Sequence, residues 1–197
     1  DSIASILKLK GASYKTYRDD ESLCETVADL ISDEKVVGWF QGRMEFGPRA
    51  LGGRSILGDA RSEKMQSVMN LKIKFRESFR PFAPLVLKEH LSEYFEMQDS
   101  DESPYMLLVA PIQHSRRCSM PEDYDSKFGI EKLHYRRSDI PAVTHVDFSA
   151  RVQTVDRERN QLLHDLMQAF YKKTDCAVLI NTSFNVRSEP IVCTPED

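Results

Sequence analysis

Three arginines are interleaved with glycines in Gly42-Arg43-Met44-Glu45-Phe46-Gly47-Pro48-Arg49-Ala50-Leu51-Gly52-Gly53-Arg54-Ser55, and six of the eight glycines fall between Gly38 and Gly58. Glycine lets a backbone approach a ligand and turn its N–H groups toward an anion, while a guanidinium offers paired in-plane donors to carboxylate or phosphate oxygens. The motif order is that of neither a P-loop nor a Rossmann turn, since Gly-Lys-Ser/Thr and Gly-x-Gly-x-x-Gly are both missing. A second cluster, Asn70-Leu71-Lys72-Ile73-Lys74-Phe75-Arg76-Glu77-Ser78-Phe79-Arg80-Pro81-Phe82-Ala83-Pro84, alternates cations with the apolar Ile73 and Phe75. Period-two alternation predicts a cationic face opposite a core face. A third segment, Asn181-Thr182-Ser183-Phe184-Asn185-Val186-Arg187, follows an apolar run and supplies short hydroxyl and amide groups suited to phosphate or ribose oxygens at a strand's C-terminal end.

These segments need a scaffold. The chain has 197 residues, 41% apolar and 29% charged, with no apolar run near the roughly 20 residues that a membrane span requires. Helical spacing is read at 22–32, 59–73 (stripe Met65, Val68, Met69, Ile73, with Ser62 as cap), 88–95 and 156–174; strands are read at 35–41, 82–87, 105–110, 142–147, 150–155, 176–180 and 190–193. This alternation predicts one α/β domain, an open twisted sheet with helices packed against it. Residues 113–140 are polar without a clean period and read as an insertion or a mobile lid.

Charge and cysteine usage narrow the function. From Arg43 to Arg80 nine Lys/Arg face four acids, a local balance of +5 in a chain of net charge −4. A basic segment in an acidic chain suggests a local anion site and makes nucleic-acid binding a poor expectation, because a non-specific binder shows a broad basic face. No two of Cys24, Cys118, Cys176 and Cys193 are closer than 17 positions, which excludes zinc-knuckle and redox-pair spacings. Scattered thiols without an export signal predict reduced core cysteines and a cytoplasmic setting. His145 and Asp147 read as strand neighbours with a structural or positioning role, and Trp39 and Phe40 as core. The opening Asp1-Ser2-Ile3 and the closing Thr194-Pro195-Glu196-Asp197, which reads as the start of a helix, lead to the expectation of an excised fragment.

Taken together, the Arg49-centred glycine turn, Lys74/Arg76/Arg80 and Ser183-x-Asn185 resemble the C-terminal YrdC-like domain of O-carbamoyltransferases of the nodulation-protein U and antibiotic-tailoring type. The likeness covers 36–87 and resumes from 141, with Gln-Gly-Arg-Met-Glu-Phe-Gly-Pro-Arg-Ala-Leu-Gly and Phe-Arg-Pro-Phe-Ala-Pro as its most specific strings; 113–140 matches poorly. It implies a doubly wound open sheet shared with threonylcarbamoyl-adenylate synthases, whose Lys-x-Arg and Ser-x-Asn signatures correspond to Lys74-Phe75-Arg76 and Ser183-Phe184-Asn185. It further implies that carbamoyl phosphate and ATP are converted to carbamoyl adenylate and pyrophosphate, for transfer to a hydroxyl by an N-terminal actin-like ATPase-superfold domain that lies outside this chain.

By the same resemblance Lys74, Arg80 and Arg49 hold the carbamoyl and phosphate groups as catalytic cations, and Arg43, Arg54, Arg76, Arg151, Ser183, Asn185 and Arg187 bind substrate or ATP. Mg2+ would bridge the triphosphate without a dedicated protein site. The competing expectations are a non-catalytic nucleotide- or RNA-binding module of the same fold, and a threonylcarbamoyl-adenylate synthase-like enzyme.

Overall fold

The computed structural model describes residues 2–197. Six strands, β1 (Val37–Phe40), β2 (Arg54–Asp59), β3 (Ala83–Leu87), β4 (Leu108–Pro111), β5 (Ser149–Val155) and β6 (Val178–Ser183), form one open sheet in the order β1-β2-β6-β3-β5-β4. Only β3 and β5 pair in parallel; every other neighbouring pair is antiparallel. The sheet is therefore mixed and open, as the α/β reading expects, but not the largely parallel array that double winding implies.

The helices are α1 (Ser2–Leu9), α2 (Asp20–Ser32), α3 (Met65–Val68), α4 (Leu91–Tyr94) and α5 (Gln161–Thr174). In α2 the Asp19 side chain accepts from the Ser22 N–H, Asp20 and Glu21 sit at the positive end of the helix dipole, and Cys24, Val27, Ala28 and Ile31 are buried. Helix α5 begins later than its periodicity predicts because Asn160 caps it, accepting from Leu163 N–H, while the preceding turn is closed by Asp156 and Arg159. It ends at Asp175, in the left-handed region at φ 55°. Helices α2 and α5 pack on each other and on β1, β2, β3 and β6. Helix α3 and the residue after it lie against Gly58 of β2, where an added Cβ would come within 3.3 Å of Met65 Cγ and 2.9 Å of Met69 Sδ.

Several sequence expectations are corrected. The helix read over 59–73 is α3 followed by a π-helical turn, Met69–Ile73; Ser62 caps nothing with its side chain, Asp59 is the last residue of strand β2, and 60–64 are a turn. The alternation at 72–76 is not a strand: Lys74 is buried, Lys72 is exposed, and Phe75 is exposed at φ 48°. Residues 142–147 form a 3-10 turn (Pro141–Val143) and a loop, so His145 and Asp147 share no strand face; Asp147 instead accepts from the backbone N–H and hydroxyl of Ser149. Residues 190–193 form no strand, and 194–197 form a turn in which the Asp197 carboxylate accepts from Cys193 and Thr194 N–H groups. Cys24 and Cys176 are core, but Cys118 is half-buried and Cys193 exposed. Trp39 is core.

Residues 113–140 run as short 3-10 turns joined by an Arg117–Ser138 bridge. No helix is long and apolar enough to cross a membrane among the described residues.

Candidate functional site

The registers place Leu57, Asn181 and Ala83 side by side and set Leu85 beside Gln153, so Ser183, Asn181, Ala83, Gln153 and Arg151 share one face of the sheet. That face is roofed by the glycine loop at 42–55. Three side-chain amides, from β6, from β5 and from the residue after β1, hold consecutive carbonyls of this loop: Asn181 donates to Ala50 O at 2.8 Å, Gln153 to Leu51 O at 2.9 Å and Gln41 to Gly52 O at 2.9 Å. From within, Glu45 Oε1 accepts the N–H groups of Leu51 and Gly53 at 2.7 and 2.6 Å. Glycine is needed at 52, where φ is +115° and a Cβ would come within 2.4 Å of Leu163 Cδ2. The braced loop sets Arg49 at the edge of a cleft.

The cleft has a volume of about 130 Å³; Arg49, Arg76 and Arg151 line it with Ala83, Asn181 and Ser183. None of the three arginines pairs with a carboxylate among the described residues. Arg151 is held below the ordinary guanidinium range by burial and by the like charge of Arg49, and its Nε is buried without a partner. Arg76 is lowered by burial and by Arg80; it donates through Nε to Asn70 Oδ1 at 2.6 Å and lies over the Phe82 ring at 4.9 Å. Like charges gathered on one cleft without ion-pair partners, partly out of water, are destabilising and suit an anionic ligand.

Behind the cleft Lys74, only 5% exposed, donates from Nζ to Ser183 O and Asn185 O at 2.8 Å each, and also to Asn185 Oδ1 and Ser183 Oγ. Burial first, and Arg76 second, push this ammonium down to about 8. The Ser183 hydroxyl donates to Asn185 Oδ1 at 2.7 Å, and Asn185 Nδ2 to Glu189 O at 2.8 Å. Thus Lys74, Ser183 and Asn185, 109 and 111 positions apart in sequence, form one polar knot beside Arg76.

Four sequence candidates lie elsewhere. Arg54 is buried and its guanidinium is consumed by the carbonyls of Gln41, Gly42, Gly53 and Cys193 and by stacking on Phe40 at 3.5 Å, so it fastens the C-terminal segment to the loop instead of binding a ligand. Arg43 faces a separate cavity of about 560 Å³ with Glu45, Tyr105 and Asn160. Arg80 is exposed and paired with Glu77 at 2.8 Å, and the exposed Arg187 adds its charge beside the same carboxylate.

Sequence reasoning missed Gln153, and it gave no individual role to Asn181 and Asn70, which open two of its segments. Asn70 is fully buried and also donates to Ser78 O and Arg80 O at 3.1 and 2.8 Å, fixing the turn that carries Arg76. The π-helical turn containing it, an uncommon element enriched at functional sites, is not readable from periodicity.

Residues 28–197 match the family model described as "Carbamoyltransferase C-terminus", and the chain belongs to that family. Among its relatives, an uncharacterised Synechocystis protein, sll1178, is 58% identical over 96% of this chain and 31% of its own length. Nodulation protein NolNO of Sinorhizobium fredii is 43% identical over 90% of this chain and 23% of its own length; nodulation protein U of Rhizobium tropici is 39% identical over 81% and 24%. The chain therefore spans less than a third of the length of each of these three relatives.

Proposed function

We propose that this chain is the adenylate-forming half of a carbamoyltransferase. Water attacks the phosphorus of carbamoyl phosphate and releases inorganic phosphate and carbamate. A carbamate oxygen then attacks the α-phosphorus of ATP, the bond from that phosphorus to the β-phosphate bridging oxygen breaks, and pyrophosphate leaves. The carbamoyl adenylate passes to an N-terminal domain of the same polypeptide for transfer to a hydroxyl acceptor. The observation that carries this reading is the convergence of Arg49, Arg76 and Arg151 on one cleft with no acid to pair them.

Two anions must be brought together while charge spreads over phosphoryl oxygens, so positioning and charge neutralisation supply most of the catalysis. Arg49, Arg76 and Arg151 would hold the smaller anion, for a cleft of about 130 Å³ suits a small dianion better than a whole nucleotide. Lys74 keeps a further positive charge behind Ser183 and fixes the turn at 183–185. Phe79, Ile130, Leu133 and Val143 wall an apolar cavity of about 370 Å³ that shares Pro81 with the cleft, offering space for a purine. Among the described residues no group of three His, Cys, Asp or Glu could hold a metal ion, so Mg2+ belongs to this reading as the counter-ion of the nucleotide substrate.

The test is pyrophosphate release from Mg-ATP with and without carbamoyl phosphate, on this chain and on the longer polypeptide. Carbamoyl-phosphate-dependent release is expected, with loss in Arg151→Ala. Release that ignores carbamoyl phosphate, or an absence of release from both polypeptides, would overturn the reading.

A further inference from the structure

Asn181 is 2% exposed, and its amide orientation is fixed by a polar chain. Gln153 Nε2 donates to Leu51 O, which leaves Gln153 Oε1 as an acceptor; Asn181 Nδ2 donates to that oxygen and to Ala50 O, each at 2.8 Å. A flipped Asn181 would press its own oxygen against two acceptors. The fixed orientation leaves Asn181 Oδ1 buried with no donor, in a residue that lines the cationic cleft. The same cleft holds the opposite orphan, the buried Nε–H of Arg151, on the same sheet face but not bonded to it. A buried unsatisfied acceptor is uncommon and costly, and one set among guanidinium groups is not explained by the binding of a plain anion.

We propose that Asn181 is the specificity-determining residue of the cleft, its Oδ1 accepting a hydrogen bond from an N–H of the ligand while Arg49, Arg76 and Arg151 hold the ligand's anionic oxygens. The ligand class this requires is a small anion that also carries a donor. Carbamoyl phosphate and carbamate have an amide N–H there; acetyl phosphate, of the same shape, has a methyl group and inorganic phosphate lacks the carbonyl portion. This inference rests on the carbamoyl reading above and extends it from charge to selectivity: a site whose buried acceptor is satisfied by one substrate leaves it unpaired with the isostere.

The experiment measures binding of carbamoyl phosphate and acetyl phosphate to the full chain and to Asn181→Leu by calorimetry at one pH and salt concentration. Carbamoyl phosphate is expected to bind at least tenfold more tightly than acetyl phosphate to the unaltered chain, and the ratio is expected to fall to about one in the variant. A merely structural Asn181 would weaken both ligands alike and preserve the ratio, which would overturn the proposal. Should Asn181→Leu fail to fold, Asn181→Ala carries the same expectation, and the ratio for the unaltered chain decides independently. Equal, measurable binding of both phosphates would mean that water satisfies Oδ1 and would refute the inference while leaving the cationic site standing. Binding of neither would remove the carbamoyl reading and this inference with it.

Discussion

Two arginine-rich regions of this molecule look alike in sequence and do opposite things. Around 113–140, Arg116 donates to Asp139 at 2.6 Å, Arg117 to Glu96 at 2.6 Å, and the buried Arg137 to the carbonyls of Thr144, Lys132 and Tyr135. Every one of these guanidinium groups is spent on the protein, and together they staple a segment with little regular structure. In the cleft, Arg49, Arg76 and Arg151 form no ion pair with an acid, and Arg151 feels the like charge of Arg49. What separates a binding arginine from a structural one is the absence of a partner, which neither composition nor local charge reveals.

The contrast can be broken by substitution. The largest effect is expected from Arg49→Ala with Arg151→Ala: carbamoyl-phosphate-dependent pyrophosphate release should fall about 1,000-fold, roughly 4 kcal/mol. Thermal unfolding of that variant should show no loss of stability, since two mutually repelling cations are gone. Arg137→Ala should do the reverse, costing about 3 kcal/mol in urea denaturation because buried carbonyls lose a charged donor. A smaller effect is sought in pH.

Lys74 loses its proton near 8 when folded and near 10.5 when unfolded, so between those values the unfolded chain binds more protons and stability rises with pH. Affinity for a phosphate anion should move the other way, falling about fivefold, near 1 kcal/mol, as pH rises through 8. Lys74→Met should flatten both profiles. The smallest effect belongs to Arg117→Gln, where an ion pair with a half-exposed carboxylate is worth about 0.5 kcal/mol and pyrophosphate release should be unchanged.

How much of this was legible in the sequence depends on whether a residue's role is local. Helices α2 and α5, with an apolar stripe and a polar cap, were readable; so were strands β3 and β5. Strand β2 was not, because all six residues are buried, among them Arg54, Ser55 and Asp59, so no alternation survives. Lys74 and Phe75 exchange the places their alternation predicts because a left-handed residue interrupts the backbone there. The structure brings Lys74 to Ser183 and Asn185, and Arg49, Arg76 and Arg151 to one cleft, so residues of three separate motifs lie close together. Gln153 carries no such signal, and the roles of Asn181 and Asn70 within their segments carry none. All three satisfy carbonyls or a guanidinium, in two of the three cases from more than a hundred positions away, and an amide in a strand or helix looks the same whether or not it does so.

The bracing of the glycine loop has a kinetic side. Because Ala50, Leu51 and Gly52 are each fastened to an amide on, or just beyond, a different strand and Glu45 locks the loop from within, the cleft holds its shape before any ligand arrives. Encounter then requires no ordering of the chain, and the exposed Arg49 is the first charge an incoming anion meets. Ionic strength should therefore act chiefly on the rate of arrival, and much less on how long a ligand stays once it is inside.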